Sequence, residues 1–401
     1  MSSDIIDAKA LGPRLLVVDD NEDNRYTLIM RLEIEGYSNI AIAEDGEQAL
    51  TLLASQEFDL VLLDVMMPKV DGYQVLQQLK ADGRLHNIPV IMISALNESD
   101  SVVRCVELGA VDYLSKPFNP VLLKARVGAS LEKKRLRDEV RAHSARMEEE
   151  LEAARQLQMS MVPTTFPQST ARRPIEIFAM MEPAREVGGD LYDFYDLDDG
   201  TLCFVIGDVS GKGVASALFM ARTKNVIRLV SRLLRGVDGS APTPADIVTA
   251  VNRELCQDNA GMMFVTLFFG MLDPQTGDLR FTNAGHNPPY HLNGNGPTPV
   301  TACKGHPLGV RGNSAYETGR LMLARGEEIY LYTDGVTEAT NRNDEFFAEE
   351  RLEAVLRDVA DRPTNVIIKA VADAVSSFAD GAPQSDDITA LAIRRVCAPS
   401  V

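Results

Sequence analysis

Two sets of aspartates carry most of the chemistry that this sequence can do. In the first set, Asp19 and Asp20 end one apolar run, Leu15–Asp20, and Asp64 ends another, Phe58–Asp64. Three carboxylates converging in one crevice repel each other unless a cation lies among them. Mg²⁺, a hard ion that keeps some of its waters, suits such an all-oxygen set. The run Pro89–Ala95 brings Ser94, a hydroxyl donor, and Asp112–Lys116 delivers Lys116, a point positive charge followed by Pro117. The Lys116–Pro117 bond is a candidate for a cis peptide in a tight turn. A carboxylate nucleophile, a cation, a hydroxyl and an ammonium are what accepting a phosphoryl group requires.

The second set is spread over two hundred residues. Asp190 lies in Arg185-Glu-Val-Gly-Gly-Asp and Asp208 in Ile206-Gly-Asp-Val-Ser-Gly-Lys-Gly. Asp334 lies in Leu331-Tyr-Thr-Asp-Gly-Val-Thr-Glu, and Asp386 opens Asp-Asp-Ile-Thr-Ala. Each sits at the end of an apolar β segment, beside glycine or polar turn residues that permit close approach. These motifs contain no Cys or His ligand pair, so they suit two Mn²⁺ or Mg²⁺ ions rather than zinc. Such a pair binds phosphate oxygens and supplies hydroxide from a bridging water, which hydrolyses a phosphate ester without a protein nucleophile. The glycines of residues 207–213 meet neither the P-loop nor the dinucleotide-binding spacing. His286, in Asn283-Ala-Gly-His-Asn-Pro-Pro, reads equally as a general acid or as a loop histidine held by backbone hydrogen bonds.

The elements that must position these groups are legible in the patterning. Five short apolar runs, the four above and Asn39–Ala43, alternate with helical segments such as Tyr26–Leu32 and Glu47–Leu53. Runs such as Leu60–Leu63 are apolar on both faces, as in a parallel sheet covered on both sides. The expectation is a doubly wound five-stranded α/β domain over residues 12–125, with its acidic groups at the carboxyl ends of the strands. Residues 126–165 have no proline before Pro163 and no glycine after Gly128, and are rich in Glu, Arg, Ala and Leu. Val140, Met147, Ala154 and Met161 recur every seven residues, a coiled-coil seam weakened by His143 and Glu150. This predicts a signalling helix that pairs two copies of the chain; a single solvated linker helix is the alternative.

Residues 166–396 mix β-rich segments with helical blocks near Val214–Leu234, Pro244–Cys256, Glu349–Val359 and Asn365–Phe378. The β-rich segments are Ile175–Met181, Leu202–Ile206, Phe264–Met271, Leu279–Asn283, Glu328–Tyr332 and Ile388–Arg394. This is the texture of an α+β two-sheet sandwich.

With its strand-end acids, Ser94 and Lys116-Pro117 in that order, the segment 12–125 resembles the receiver domain of two-component response regulators. The resemblance implies that Asp64 is phosphorylated by a histidine kinase. It also implies that Asp19, Asp20, Asp64 and the backbone carbonyl of Met66 hold Mg²⁺, and that Ser94, Tyr113 and Lys116 read the phosphoryl group. For Tyr113 the alternative is a plain core aromatic.

On the motifs quoted above, residues 166–396 resemble the PPM family of metal-dependent serine/threonine phosphatases. The likeness is to the bacterial branch typified by the sporulation stage II E and stress-response phosphatases. Ala153-Ala-Arg-Gln-Leu-Gln-Met-Ser-Met-Val-Pro163 is similar to that branch's switch-helix entry. Carried over by motif, Asp208 bridges two metals with the carbonyl of Val209 completing one shell, Asp334 and Asp386 hold one ion, and Asp190 serves the other. Arg185 aligns with a phosphate-gripping arginine, or is a surface residue. Where many eukaryotic members carry an acid, this chain has Gly189. Asp387 competes with Asp386 as the ligand.

Composition narrows the function classes. The chain has 401 residues and a formal charge of −18. Residues 1–125 carry 10 Lys and Arg against 20 Asp and Glu, and residues 166–401 carry 22 against 31. Both parts repel nucleic-acid phosphates, so a DNA-binding output is not expected. No segment approaches the ~20 apolar residues that span a bilayer. The five cysteines, Cys105, Cys203, Cys256, Cys303 and Cys397, are scattered as in a reduced cytoplasmic protein. The sequence therefore predicts a receiver-controlled phosphatase acting on phosphoserine of a partner, an anti-anti-sigma-factor-type protein by family resemblance. The alternative is a catalytically silent phosphatase fold that binds a partner under receiver control.

Overall fold

The computed structural model describes residues 12–95, 99–170, 173–234 and 241–396, so Cys397 lies outside them. The chain divides into two compact units, Met1–Met147 and Glu148–Val401.

The first unit runs β1 (Leu15–Val18), α1 (Glu22–Ile34), β2 (Ile40–Ala43), α2 (Gly46–Ser55), β3 (Leu60–Asp64), α3 (Gly72–Ala81), β4 (Val90–Ser94), α4 (Ser99–Leu108) and β5 (Asp112–Ser115). Its sheet is parallel throughout, in the order β2-β1-β3-β4-β5. Strand side chains alternate between faces. Leu16, Val18, Val61 and Leu63 pack against Ala49, Leu53, Leu76 and Leu79 from α2 and α3. Leu15, Val17, Leu60 and Leu62 pack on the other side against Leu28 and Leu32 from α1. Both faces are thus buried, which is why the runs read as continuously apolar. The turns after β1, β2 and β3 are closed by Asn21, Asp45 and Asp71, whose side chains accept from the backbone N–H three residues on. Each such cap stabilises its helix by about 1 kcal/mol and starts it directly beside a strand end.

α5 (Pro120–Met161) is one continuous helix of 42 residues, and the division between the units falls within it. Leu123 and Val127 anchor its start in the first unit's core. Val140 and Met147 of the expected seam are exposed, while Ala154 and Met161 are half-buried. Leu136 and Leu157, also exposed, fall on the same three-four spacing and extend the stripe.

The second unit contains β6 (Ile175–Glu182), β7 (Leu191–Asp196), β8 (Leu202–Val209), α6 (Val214–Leu233), α7 (Pro244–Leu255), β9 (Val265–Leu272), β10 (Asp278–Ala284), β11 (Tyr290–Asn293), β12 (Gly296–Pro299), β13 (Gly319–Met322), β14 (Glu328–Tyr332), the short α8 (Asp334–Thr337), α9 (Ala348–Val359), α10 (Thr364–Ala379) and β15 (Ile388–Arg395). Two antiparallel sheets form, in the orders β13-β10-β9-β8-β7 and β12-β11-β14-β15-β6.

Leu202, Phe204 and Ile206 of β8 meet Leu391 and Ile393 of β15 in the core between the sheets. The alternate residues, Cys203 and Val205, face Phe219, Ile227, Ile247 and Val251 from α6 and α7. Tyr330, Tyr332, Ala390 and Ala392 likewise face Leu352, Leu356, Ile367 and Val371 from α9 and α10. The result is a four-layer sandwich, helices outside and sheets inside. Each fully buried Leu, Ile or Phe contributes about 1.5–3 kcal/mol of hydrophobic stabilisation.

Four strands lie outside the sequence expectation: β7, β11, β12 and β13. β12 is Gly-Pro-Thr-Pro, a poor strand sequence tolerated because it sits at a sheet edge. β7 hides a buried acid, Asp193, whose carboxylate accepts from Arg228 and lies 3.2 Å from the Lys224 ammonium.

Candidate functional site

At the carboxyl end of the parallel sheet, Asp19, Asp20 and Asp64 each offer a carboxylate oxygen within 4.8 Å of the others. Among the described residues this is the one acidic group that converges so tightly. Asp19 is fully buried and Asp64 nearly so, while Asp20 is exposed. The Lys116 ammonium lies 2.7 Å from Asp19 Oδ2 and 2.9 Å from Asp64 Oδ2, and the Lys116–Pro117 bond is cis.

Burial pushes the Asp64 pKa up, the Lys116 hydrogen bond pulls it down, and the charge of Asp19 adds to the rise; the net shift is upward. Burial opposes the Lys116 charge, but its hydrogen bonds to Asp19 and Asp64 more than offset that, so its pKa rises too. A carboxylate trio that one ammonium only partly neutralises is the right donor set for a hard divalent ion. The Met66 backbone N–H stabilises the Asp64 carboxylate.

Ser94 is fully buried at the end of β4. Tyr113 is half-buried against the core. Asn21 and Asn24 play a part that the sequence reading missed. The Asn21 backbone N–H and the Asn24 side-chain amide both donate to Asp19 Oδ1 at 3.0 Å, which fixes that carboxylate.

In the second unit the expected acids gather from four places. Asp190 precedes β7, Asp208 lies near the end of β8, Asp334 starts α8 after β14, and Asp386 precedes β15. Asp190 is buried, and its carboxylate accepts a hydrogen bond from the Thr333 hydroxyl at 2.8 Å. Burial and then the neighbouring Asp208 charge hold its pKa well above the usual carboxylate range. Burial, followed by Asp334, Asp386 and Asp387, pushes Asp208 up to about 7. Asp334 is raised by burial and by Asp386. Carboxylates that raise one another's pKa in this way bind a cation favourably, because it removes their repulsion. The residues present therefore fit divalent ions of the Mg²⁺ or Mn²⁺ kind.

The Asp386-Asp387 pair divides its work. Asp387 is buried, and its carboxylate accepts from the backbone N–H groups of Ala184, Gly189 and Asp190 at 2.8, 2.7 and 3.4 Å. It is a clamp on the loop that carries Asp190. Asp386 keeps its carboxylate partly exposed, 3.0 Å from Lys212 Nζ.

The clamp explains two glycines. A Cβ on Gly188 would lie 2.2 Å from Asp387 Oδ2, and one on Gly335 would lie 1.9 Å from the Asp387 carbonyl oxygen. A Cβ at Gly189 would crowd the Val209 carbonyl oxygen at 2.7 Å. Arg185 is exposed and makes no ion pair among the described residues.

Two further residues carry information. His286 is buried, its pKa lowered by burial to about 4, with the Thr266 hydroxyl 2.9 Å from Nδ1. Asn283 latches its backbone N–H and carbonyl, so it is a neutral loop histidine. Gln158, in the last turn of α5, is buried; its amide donates to the Gly188 carbonyl at 2.7 Å and its Oε1 accepts from Gly188 N–H at 3.1 Å. This ties the helix to the loop that precedes Asp190. The quoted segment Ala153–Pro163 contained Gln158, but one sequence could not show where its amide points.

Known proteins match the same two regions. Residues 15–128 match the family model of the response regulator receiver domain, and residues 198–396 that of stage II sporulation protein E. Protein IcfG of Synechocystis sp. is 34% identical over 266 residues, 61% of this chain and 41% of that protein. A probable transcriptional regulator ycf27 of Cyanidium caldarium is 44% identical over 117 residues, 29% of this chain and 45% of that protein. The chain thus spans less than half the length of these curated relatives. The solved SiaA-PP2C domain of Pseudomonas aeruginosa superposes with a TM-score of 0.54 at 22% identity, covering 63% of this chain and 98% of that one. At that identity the likeness speaks to the fold. No described helix is long and apolar enough to cross a membrane.

Proposed function

We propose that the chain is a receiver-controlled, metal-dependent protein phosphatase, a reading supported by the matches of residues 15–128 to the response regulator receiver domain and of residues 198–396 to stage II sporulation protein E. Its substrate is the phosphoserine of a partner protein, of anti-anti-sigma-factor type on family resemblance. The observation that carries the reading is the convergence of Asp190, Asp208, Asp334 and Asp386 from separate segments into one mutually repelling cluster.

In the receiver, Asp64 accepts the phosphoryl group from a histidine kinase while Asp19, Asp20 and the Met66 carbonyl hold Mg²⁺. Ser94, Tyr113 and Lys116 then read the phosphoryl group. In the phosphatase unit Asp208 and the Val209 carbonyl, Asp334 and Asp386, and Asp190 hold two divalent ions. When bound, those ions polarise the phosphate ester and provide hydroxide at neutral pH. Asp387 fixes the Asp190 loop, and Thr333 orients the Asp190 carboxylate. In this reading Arg185, which is exposed, grips the phosphate of the substrate.

Control passes through α5. Charge alone is screened over a Debye length of about 8 Å at physiological salt, so a mechanical element with two arrangements is needed. α5 belongs to both units, and Gln158 grips Gly188, two residues before Asp190. We propose that two copies pair along Leu136, Val140, Met147 and Leu157. Sedimentation of the full chain should show a dimer, and a monomer would remove this part.

The activity is tested by incubating the full chain with a phosphoserine protein and measuring free phosphate. Release is expected with Mn²⁺ or Mg²⁺ and should stop on adding a chelator. No release with either ion would favour the silent binding module, and release unaffected by chelator would refute the metal mechanism.

A further inference from the structure

Lys212 has no part in the function proposed above, yet it sits in the acidic cluster. It lies between β8 and α6, flanked by Gly211 and Gly213, both at positive φ, which any other residue would adopt only with strain. Its ammonium is 3.0 Å from Asp386 Oδ2 and donates to the Ser385 carbonyl. Its charge also reaches Asp334 and Glu338, lowering the pKa of each against the rise caused by burial and their acidic neighbours. Both partners of the ion pair are partly exposed, at 41% and 35%, so the pair is loose enough to open.

An ammonium seated on Asp386 occupies the oxygen that a divalent ion at this carboxylate needs. Two cations cannot share it without repulsion, so binding of one displaces the other. Once displaced, an ammonium on a glycine-flanked loop turns to the nearest uncompensated anion. In a phosphatase that anion is the phosphoryl group.

We propose that Lys212 is a built-in competitor for the divalent ion at Asp386, and that on metal loading it becomes a ligand for the phosphoryl oxygens. The proposal rests on the metal-dependent phosphatase reading. It assigns to this lysine both the metal threshold of the site and part of its grip on phosphate.

The test is calorimetric titration of Mn²⁺ into the full chain, in an Asp64→Asn background so that the receiver trio contributes less. The parent, Lys212→Met and Lys212→Arg are compared. Lys212→Met should bind Mn²⁺ roughly two- to fivefold more tightly at low salt, the scale of a partly exposed ion pair, with the difference shrinking at high salt. The Mn²⁺-loaded Lys212→Met protein should bind inorganic phosphate several-fold more weakly, and Lys212→Arg should stay close to the parent in both titrations. Equal Mn²⁺ affinity in the parent and Lys212→Met would overturn the proposal and leave a surface ion pair. If Asp208→Asn does not change Mn²⁺ binding by the parent, the metal reading itself fails, and this inference with it.

Discussion

Phosphate release by an Asp208→Asn variant should fall by more than about a hundredfold, because losing even an outer-shell partner of a metal ligand costs about 10- to 100-fold. Asp208 stands at the centre of the cluster: Asp334, Asp386 and Asp387 all raise its pKa, and it raises that of Asp190. Asparagine keeps the shape and removes the charge, so the loss is in metal binding and the activated water rather than in packing. The folded state should not suffer. A carboxylate whose pKa rises on folding costs stability wherever it is ionised, so near and above pH 7 the neutral amide relieves repulsion. Steady-state hydrolysis and a thermal melt measure the two halves. A variant that keeps most of its turnover would remove Asp208 from the mechanism.

The second large effect concerns the receiver. Asp64→Ala should take up no label from a small acyl phosphate, whereas the parent labels. Asp64 keeps the slight exposure that Asp19 lacks, and its oxygen lies 2.9 Å from the Lys116 ammonium. Asp19 is fully buried and held by Asn21 and Asn24, so it has no freedom to attack phosphorus. The raised pKa of Asp64 again means that its removal does not destabilise the fold at neutral pH. Mass spectrometry of the acid-stable fragments reads the result. Undiminished labelling of the variant would place the acceptor elsewhere.

Legibility in the sequence followed physical cause. In the receiver the chemical groups stand at strand ends, and β1, β3 and β4 are apolar on both faces, so motif and element announce each other. Asp19, Asp20, Asp64, Ser94 and Lys116 could be placed without coordinates. In the second unit the four motif aspartates were equally visible, because glycine or polar turn residues beside them mark close backbone approach.

What escaped was information carried by direction rather than by type. Whether Asp386 or Asp387 faces the cluster depends on which carboxylate three backbone N–H groups have already claimed, and adjacent identical residues hide that. Lys212 lay inside a quoted motif but had no role until its ammonium was seen against Asp386. Gln158 was one polar residue in a long helix until its amide met Gly188. β7 and β12 were missed because a buried, doubly paired Asp193 and two edge prolines contradict ordinary strand composition.

The state of Asp64, in the first unit, is expected to set the rate of hydrolysis in the second. The direct measurement is phosphate release from a phosphoserine protein by the full chain with Mn²⁺, with and without prior acyl phosphate treatment, in the parent and in Asp64→Ala. Coupling between sites of this kind is typically worth about 5- to 150-fold. The parent's rate should change by at least about fivefold on phosphorylation, and the variant's should not change at all. A parent that is labelled at Asp64 yet hydrolyses at the same rate with and without the phosphoryl group would contradict the account.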